Sequence, residues 1–557
     1  MNVTPPDVIA HYTELGWWGT QTLDDVFRDN ARKNPDRCAL VDPPDRAQWT
    51  DGEALRLNYR ELDGLVEQWA HRLRNAGIDK DDIILTQLPN IHELVVLILA
   101  SFRVGAIISP VLVQFDHKEL SEVCEQLQAK LIVTTSRFKH RALGQTLQSI
   151  AIDAGIDCWL CDALPAIPSK QSLSSTRSPS IDANDVATIC WTSGTEGKPK
   201  GVMRNHNQWL ATGRLMAESS QLRDGDHLLN TRPLVNMAAI GGSLCSWLNC
   251  AGMLVLHHPL NMSLAVQQIR DEQINVTFMP PAFVVGLLKD AELRAHADLS
   301  SLRVLGSGSA AIPDWAVNQF EQEFNLSLIN FFGSNEGIGL VSTPEEMPDP
   351  SLRATLFPRF GAPGFFWPSV PTSSEMQTKL VNLETNEVVT RPGITGELRV
   401  KGSMIFSQYF RNSRATVEAF DGDGYYRSGD LFEIAGEGDL AHYYRFVGRS
   451  KEVIIRGGFN IAPAEIDSLL SDHPLIAEVS AFGYPDERLG ERIGVAVVLK
   501  PEAKLELDDL VQFLRAKHIA VFKLPEQLMV LDALPRNGLL KVLRRELTAM
   551  FAETHRA

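Results

Sequence analysis

One stretch limits this chain more than any other. Val186 to Trp191 reads as a buried strand, and it runs straight into Thr192-Ser193-Gly194-Thr195-Glu196-Gly197-Lys198-Pro199-Lys200-Gly201. Those ten residues hold three Gly, three hydroxyl side chains and two Lys. Glycines let backbone N–H groups turn inward and come close to a polyphosphate. Hydroxyls donate to phosphate oxygens, and a lysine ammonium adds a compact charge. The pattern is not a Walker loop, because Gly-Lys-Ser/Thr at a helix start is missing. The competing reading is a flexible surface turn, but such turns rarely follow a buried strand so directly.

The surrounding pattern supplies the rest of the fold expectation. Tyr59 to Ala76 places Leu62, Val66, Trp69, Ala70 and Leu73 on one helical face; Ile83 to Leu88 is strand-like, Leu94 to Val104 helical and Ala106 to Val113 strand-like. This alternation predicts parallel sheet covered by helices. Pro165 to Ser180 is a Ser- and Pro-rich loop or linker. Residues 375–447 read as strands and turns, and the residues after Gly448 as a compact α+β unit. With 557 residues, three or four domains, or one large and one small, are the prior. Leu94 to Val113 is cut by Arg103, Gly105 and Pro110, so it reads as helix, turn and strand rather than a membrane span.

Charge and cysteine narrow the function classes. The 53 Lys+Arg against 69 Asp+Glu give a formal −16, which argues against a general nucleic-acid or anionic-membrane binder. The 7 Cys are scattered. Cys158–Cys161 and Cys245–Cys250 have no matching Cys/His pair for zinc, so structural thiols are expected. The first residues, MNVTPPDVIAHYTE, lack a basic stretch followed by an apolar run, so no signal peptide is expected and a cytoplasmic location is.

Further motifs follow in order. Gly306-Ser307-Gly308-Ser309-Ala310-Ala311 lies between a strand and a helix. Alone it could be a dinucleotide fingerprint of a nicotinamide oxidoreductase. Then come Asn330-Phe331-Phe332-Gly333-Ser334-Asn335-Glu336, Gly396-Glu397-Leu398 with Tyr409-Phe410, Tyr426-Arg427-Ser428-Gly429-Asp430-Leu431, Gly448-Arg449-Ser450-Lys451-Glu452, Gly457-Gly458, and Pro535 to Arg545 around Lys541. Asp430 and Glu336 are carboxylates within these motifs, able to accept from hydroxyls or bind a hard cation.

Taken together, these motifs resemble, in order, those of the adenylate-forming superfamily: acyl-CoA synthetases, peptide-synthetase adenylation domains and beetle luciferases. The resemblance runs from Tyr59 to Arg545. It implies an α/β fold: a large N-terminal AMP-binding domain (residues 1–447; two βα sheet subdomains and a small β-rich one) and a small mobile α+β C-terminal domain (448–557). It implies ATP, Mg2+ and coenzyme A as cofactors, a small carboxylic acid as substrate, no nucleic-acid or integral-membrane partner, and a possible homodimer.

The same resemblance assigns roles residue by residue. Lys541, Glu336 and Thr192 would be catalytic, with Glu336 and Thr192 at the metal. Thr192, Ser193, Gly194, Thr195, Gly197, Lys198, Lys200, Gly308, Ser309, Ala310, Phe332, Gly333, Ser334, Asn335, Asp430 and Arg449 would bind ATP or AMP. Phe332 would stack on adenine and Asp430 hold the ribose. Lys451 would be the hinge, Gly457 and Gly458 would line the thiol tunnel, and Asn236, Met237 and Gly242 would bound the acyl pocket. Tyr409 is assigned only a scaffold role, and His206 one of capping or packing.

Departures from the family pattern are Glu196, Asn236, Asn335 and Leu540. The implied function is a carboxylate–CoA ligase acting on a hydrophobic acid. A free-standing enzyme loading a carrier protein shares the same motifs. A luciferase-type oxygenase, a non-catalytic nucleotide binder and the nicotinamide enzyme are more distant alternatives.

Overall fold

Helix Tyr59–Asn75 shows how locally the chain is written. Asn58 accepts from the Glu61 N–H while Glu61 returns a bond to the Asn58 N–H, a capping box. Its apolar stripe of Leu62, Val66, Ala70 and Leu73 is buried. Next along the chain, helix His92–Val104 is buried from Glu93 onward and stops at Gly105, whose φ is +78°. The chain then enters strand Ile107–Pro110, so the apolar stretch is helix, turn and strand as expected. In the computed structural model, residues 1–163, 180–192, 199–308, 312–457, 459–538 and 541–554 are described.

A six-stranded sheet runs in the order Asp157–Leu160, Leu131–Thr134, Ile83–Gln87, Ile107–Pro110, Val186–Trp191, Gly201–Asn205. All its pairings are parallel except the last, where Gly201–Asn205 folds back on Val186–Trp191. An eight-stranded sheet has the parallel core Leu328–Gly333, Val304–Gly308, Val276–Met279, His227–Asn230, Met253–Leu256 and Cys38–Val41. Gly339–Ser342 and Arg56–Asn58 close its two edges antiparallel. The pairing of Cys38–Val41 with Met253–Leu256 joins segments far apart in sequence and carries no local signal.

The β-rich part is a five-stranded antiparallel sheet: Leu356–Pro358, Tyr443–Arg449, Tyr426–Ile434, Gly396–Gly402, Met376–Val381. The last sheet pairs Phe459–Ile461, Ile454–Arg456, Gly490–Leu499 and Ile476–Asp486, with Gln527–Val530 alongside. Helix Pro463–Leu470 packs on it with Pro at its first turn. These layers match the α/β expectation.

Arg204 ties the parts together. Its fully buried guanidinium lies 4.0 Å over the Trp209 ring and donates to the carbonyls of Gln208 and Met404 and to Thr212 Oγ1. Burial lowers it to about 10. His206 is a packing residue: its buried Nδ1 accepts from the Leu23 N–H, its ring meets Phe102 edge-on, and burial lowers it to about 4. All seven cysteines are unpaired.

Candidate functional site

The phosphate-loop strand and its return strand meet at a two-residue neck. The Thr192 N–H donates to the Lys200 carbonyl at 3.0 Å, and the Lys200 N–H donates to Thr192 Oγ1 at 3.3 Å. Ser193, Gly194, Thr195, Gly197 and Lys198 lie outside the described residues, as do Ser309, Ala310, Gly458 and Leu540. The Lys200 ammonium stands 5.1 Å over the Tyr409 ring.

Tyr409 leads to the next candidate. Its hydroxyl donates to Glu336 Oε1 at 2.9 Å, and the Phe406 N–H donates to the Glu336 backbone carbonyl at 2.8 Å. Glu336 is 7% exposed. Tyr426 is buried close to both groups. Burial first, then the Glu336 charge, raises both phenols. The Tyr409 hydroxyl therefore fixes one oxygen of the carboxylate. Sequence reading missed it: 73 residues separate Tyr409 from Glu336, and no local motif couples them.

The adjacent loop is equally constrained. Gly308 pairs with Phe331, and a Cβ there would lie 2.2 Å from the Phe331 carbonyl oxygen. Phe332 is half-buried among Phe357, Phe432 and Phe446, with ring centroids 5.0 Å from Phe432. Gly333 pairs with Gly339, and the Ser334 N–H donates to the Ile338 carbonyl. Asn335 is stitched in place: Oδ1 accepts from the Met237 N–H at 2.9 Å and Nδ2 donates to the Trp191 carbonyl at 3.0 Å. It thus joins the end of the phosphate-loop strand to the expected acyl segment. Asn236 caps the turn after it, accepting from the Ala239 N–H at 3.2 Å. Gly242 sits in the π-helical turn Ile240–Cys245 that follows.

A chain of alternating charges completes the site. Asp430 and Arg449 face each other across two antiparallel strands, with Arg449 Nε 3.0 Å from Asp430 Oδ1. Asp430 is 2% exposed, and burial pushes its carboxyl up to about 6 against the opposing pull of Arg449 and Lys541. Glu452 lies 3.5 Å from Lys541 Nζ and accepts from Arg544 Nη1 at 2.6 Å. Arg544 also holds Asp467. Burial alone would raise Glu452, but Lys541, Arg544 and Arg449 outweigh it and hold the carboxyl low. Burial and Arg449 lower Lys541, with Glu452 opposing.

Lys541 is set on a tight loop: Asn537 and Lys541 exchange backbone and side-chain bonds, and Arg536 bridges Val542. The Gly538 tip leans on Leu112 and Gln114 of the first sheet's connection. Asp430, Arg449 and Lys541 are thus brought together, and Glu452 and Arg544 join them unforeseen. Gly457, at φ +58°, donates its N–H to the Leu489 carbonyl at 2.7 Å. Lys451 lies in the turn after strand Tyr443–Arg449. Among the described residues no cluster of three His, Cys, Asp or Glu could cage a metal, and no helix is long and apolar enough to cross a membrane.

The model of the AMP-binding enzyme family matches residues 27–410, and that of the AMP-binding enzyme C-terminal domain matches 465–541. The chain belongs to this adenylate-forming family. It is 30% identical over 543 residues to the medium-chain fatty-acid–CoA ligase of Escherichia coli, covering 95% of this chain and 90% of that one. It is 28% identical to the 2,3-dihydroxybenzoate-AMP ligase of Bacillus subtilis, covering 98% and 97%. In fold it is similar to ATP-bound MatB from Rhodopseudomonas palustris, with TM-score 0.78, 22% identity and coverage of 96% and 100%. Family membership sets aside the nicotinamide reading of the Gly306 loop.

Proposed function

We propose that the chain is an acid–thiol ligase. It joins a carboxylic acid to AMP and passes the acyl group to the thiol of coenzyme A, releasing pyrophosphate and AMP. One observation carries the reading: Lys541, Asp430 and Arg449 converge through one run of charges, beside a Glu336 whose carboxylate is pinned. An acid carboxylate and a triphosphate repel each other, so activation needs cationic groups held where charge shifts in the transition state. Lys541 and Lys200 supply them. Asp430, ionised, accepts from the ribose hydroxyls. Arg449 holds its orientation.

Magnesium fits these residues as an ion carried by the nucleotide phosphates. One buried carboxylate oxygen of Glu336 and the Thr192 hydroxyl are hard oxygen donors, and Mg2+ commonly uses one or two carboxylates plus phosphates. When bound it would neutralise phosphate charge. In the second half-reaction the C-terminal part would turn about Lys451, withdraw Lys541 and present Gly457 and Gly458 to the thiol. The thiol sulfur then attacks the acyl carbon, the bond to the AMP phosphate oxygen breaks, and AMP leaves.

The acid is read as hydrophobic because Met237 and Gly242 border the expected pocket. The second reading, transfer to a carrier protein, has support from a relative named as an AMP ligase. A pyrophosphate-release screen over carboxylic acids, with and without CoA, separates the two. A CoA-ester product supports the ligase; CoA-independent release with no CoA ester favours the carrier reading. Lys541→Ala should abolish pyrophosphate exchange and spare thiolation of a supplied acyl-adenylate; exchange at the wild-type rate refutes its role. Size-exclusion chromatography tests the expected homodimer.

A further inference from the structure

Asn230 is the last residue of strand His227–Asn230, at the carboxyl end of a parallel sheet. Ligands of open α/β sheets bind at such ends. The side chain is 1% exposed, and neither its Oδ1 nor its Nδ2 has a partner among the described residues. Among the described residues it is the one buried side-chain amide with both ends unpartnered. Two other buried asparagines nearby show the usual solution. Asn90 donates to the Arg232 and His257 carbonyls and accepts from the Leu234 N–H; Asn330 donates to the Arg353 and Ala354 carbonyls. An unpaired buried amide is unfavourable by the desolvation of both its ends.

Register shows which way Asn230 faces. Its cross-strand neighbours are Leu256 and Phe278, and paired residues share a face. Phe278 looks onto the turn Ile240–Cys245: a Cβ on Gly242 would lie 3.4 Å from Met216 Cε and 3.8 Å from Phe278 Cδ2. This is the wall of the expected acyl pocket, and Asn230 is a polar spot within an apolar lining.

We propose that Asn230 is a specificity residue, and that the acid activated here carries a neutral hydrogen-bonding group, such as a hydroxyl, ketone or amide, on an otherwise apolar body. The amide can both donate and accept, so it suits each of these. The neighbours on its own face, Leu256 and Phe278, are apolar, and the buried guanidinium of Arg232 two residues on already donates to the Met279 and Gly308 carbonyls, so a neutral group is what the amide is suited to answer. The inference rests on the ligase reading and refines its substrate class.

The test uses the full chain and matched acid pairs, equal in size and differing by a hydroxyl or carbonyl in place of a methyl or methylene. ATP–pyrophosphate exchange is measured for the wild type, Asn230→Leu and Asn230→Ser. The wild type should favour the polar acid of at least one pair by about tenfold in kcat/KM, the worth of one good hydrogen bond. Asn230→Leu should erase that preference, leave the KM for ATP unchanged, and melt no lower than the wild type without acid. Asn230→Ser, with its shorter reach, should cut the preference severalfold and serves if the leucine variant does not fold. An unchanged ranking in a folded variant overturns the inference while the ligase reading stands. So does wild-type preference for the hydrocarbon acid in every pair. No exchange with any acid refutes the ligase reading and the inference with it.

Discussion

Tyr409→Phe isolates one hydroxyl at the centre of the site. The ring remains, so the Lys200 ammonium keeps its aromatic platform. Lost is the 2.9 Å bond to Glu336 Oε1. A hydrogen bond to a charged group contributes about 1.5–3 kcal/mol, and the buried oxygen left behind loses its partner. Taking about 2 kcal/mol as the energy that selects one carboxylate orientation, its release spreads Glu336 over other orientations by up to about thirtyfold. The half-saturating Mg2+ concentration for ATP–pyrophosphate exchange should rise by up to that factor, and the protein should melt lower. Titration calorimetry of Mn2+ with ATP and enzyme gives a readout that does not depend on turnover. Tyr409→Leu, which also removes the platform, should add a higher KM for ATP. If Tyr409→Phe melts lower yet its metal dependence overlays the wild type in both measurements, Tyr409 is only scaffold and does not orient Glu336.

Other outcomes are expected from the same geometry. Burial holds the Asp430 carboxyl at about 6, so the wild-type KM for ATP should fall as pH rises through that value and level off above neutrality. Asp430→Asn should show a higher, flat KM. The folded carboxyl binds its proton more tightly than the unfolded one, at 3.8, so its contribution to stability declines as pH climbs from about 3.8 to about 6; thermal melts of Asp430→Asn should lack that slope. Glu452→Gln removes the charge that raises Lys541, so exchange should fail at a lower alkaline pH than in the wild type; an unshifted alkaline limb refutes the pairing. Asn236→Ala removes a cap worth about 1 kcal/mol and should lower the melting temperature slightly, measured by calorimetry.

What the sequence reveals and what it hides divide along a physical line. Helix Tyr59–Asn75 and strand Val186–Trp191 are legible because capping residues and apolar spacing act over a few residues. Asp430 and Lys541 are legible because each sits in a short motif of fixed spacing. The Tyr409–Glu336 bond, the Arg204 contact with Met404 and the pairing of Cys38–Val41 with Met253–Leu256 are not. Each depends on two segments meeting in space, and neither segment alone records the other. Asn230 is the sharpest case. In sequence it is an unremarked polar residue closing a strand; only register shows that its amide shares the apolar face of Leu256 and Phe278, with no partner among the described residues.

The charge run also bears on how one site could serve two half-reactions. Glu452 immediately follows the expected hinge Lys451, and its two oxygens face Lys541 and Arg544 separately. Arg544 is secured a second time by Asp467, whose other oxygen takes the Ala481 N–H. That half of the network lies wholly after Lys451 and could travel as a unit if the hinge turns. The Lys541 half is different. At 3.5 Å its contact with Glu452 is long for an ion pair, and Asp430 and Arg449, on the other side of the hinge, bear on the same ammonium. A triphosphate entering between them competes with one weak partner rather than with a closed bidentate pair. Arg544, held by two carboxylates, keeps Glu452 in place while Lys541 changes partners. On the proposed two-step reaction, the firm arginine and the loosely held lysine, sharing one glutamate, would divide the work: the first would keep the C-terminal part intact, and the second would be free to leave.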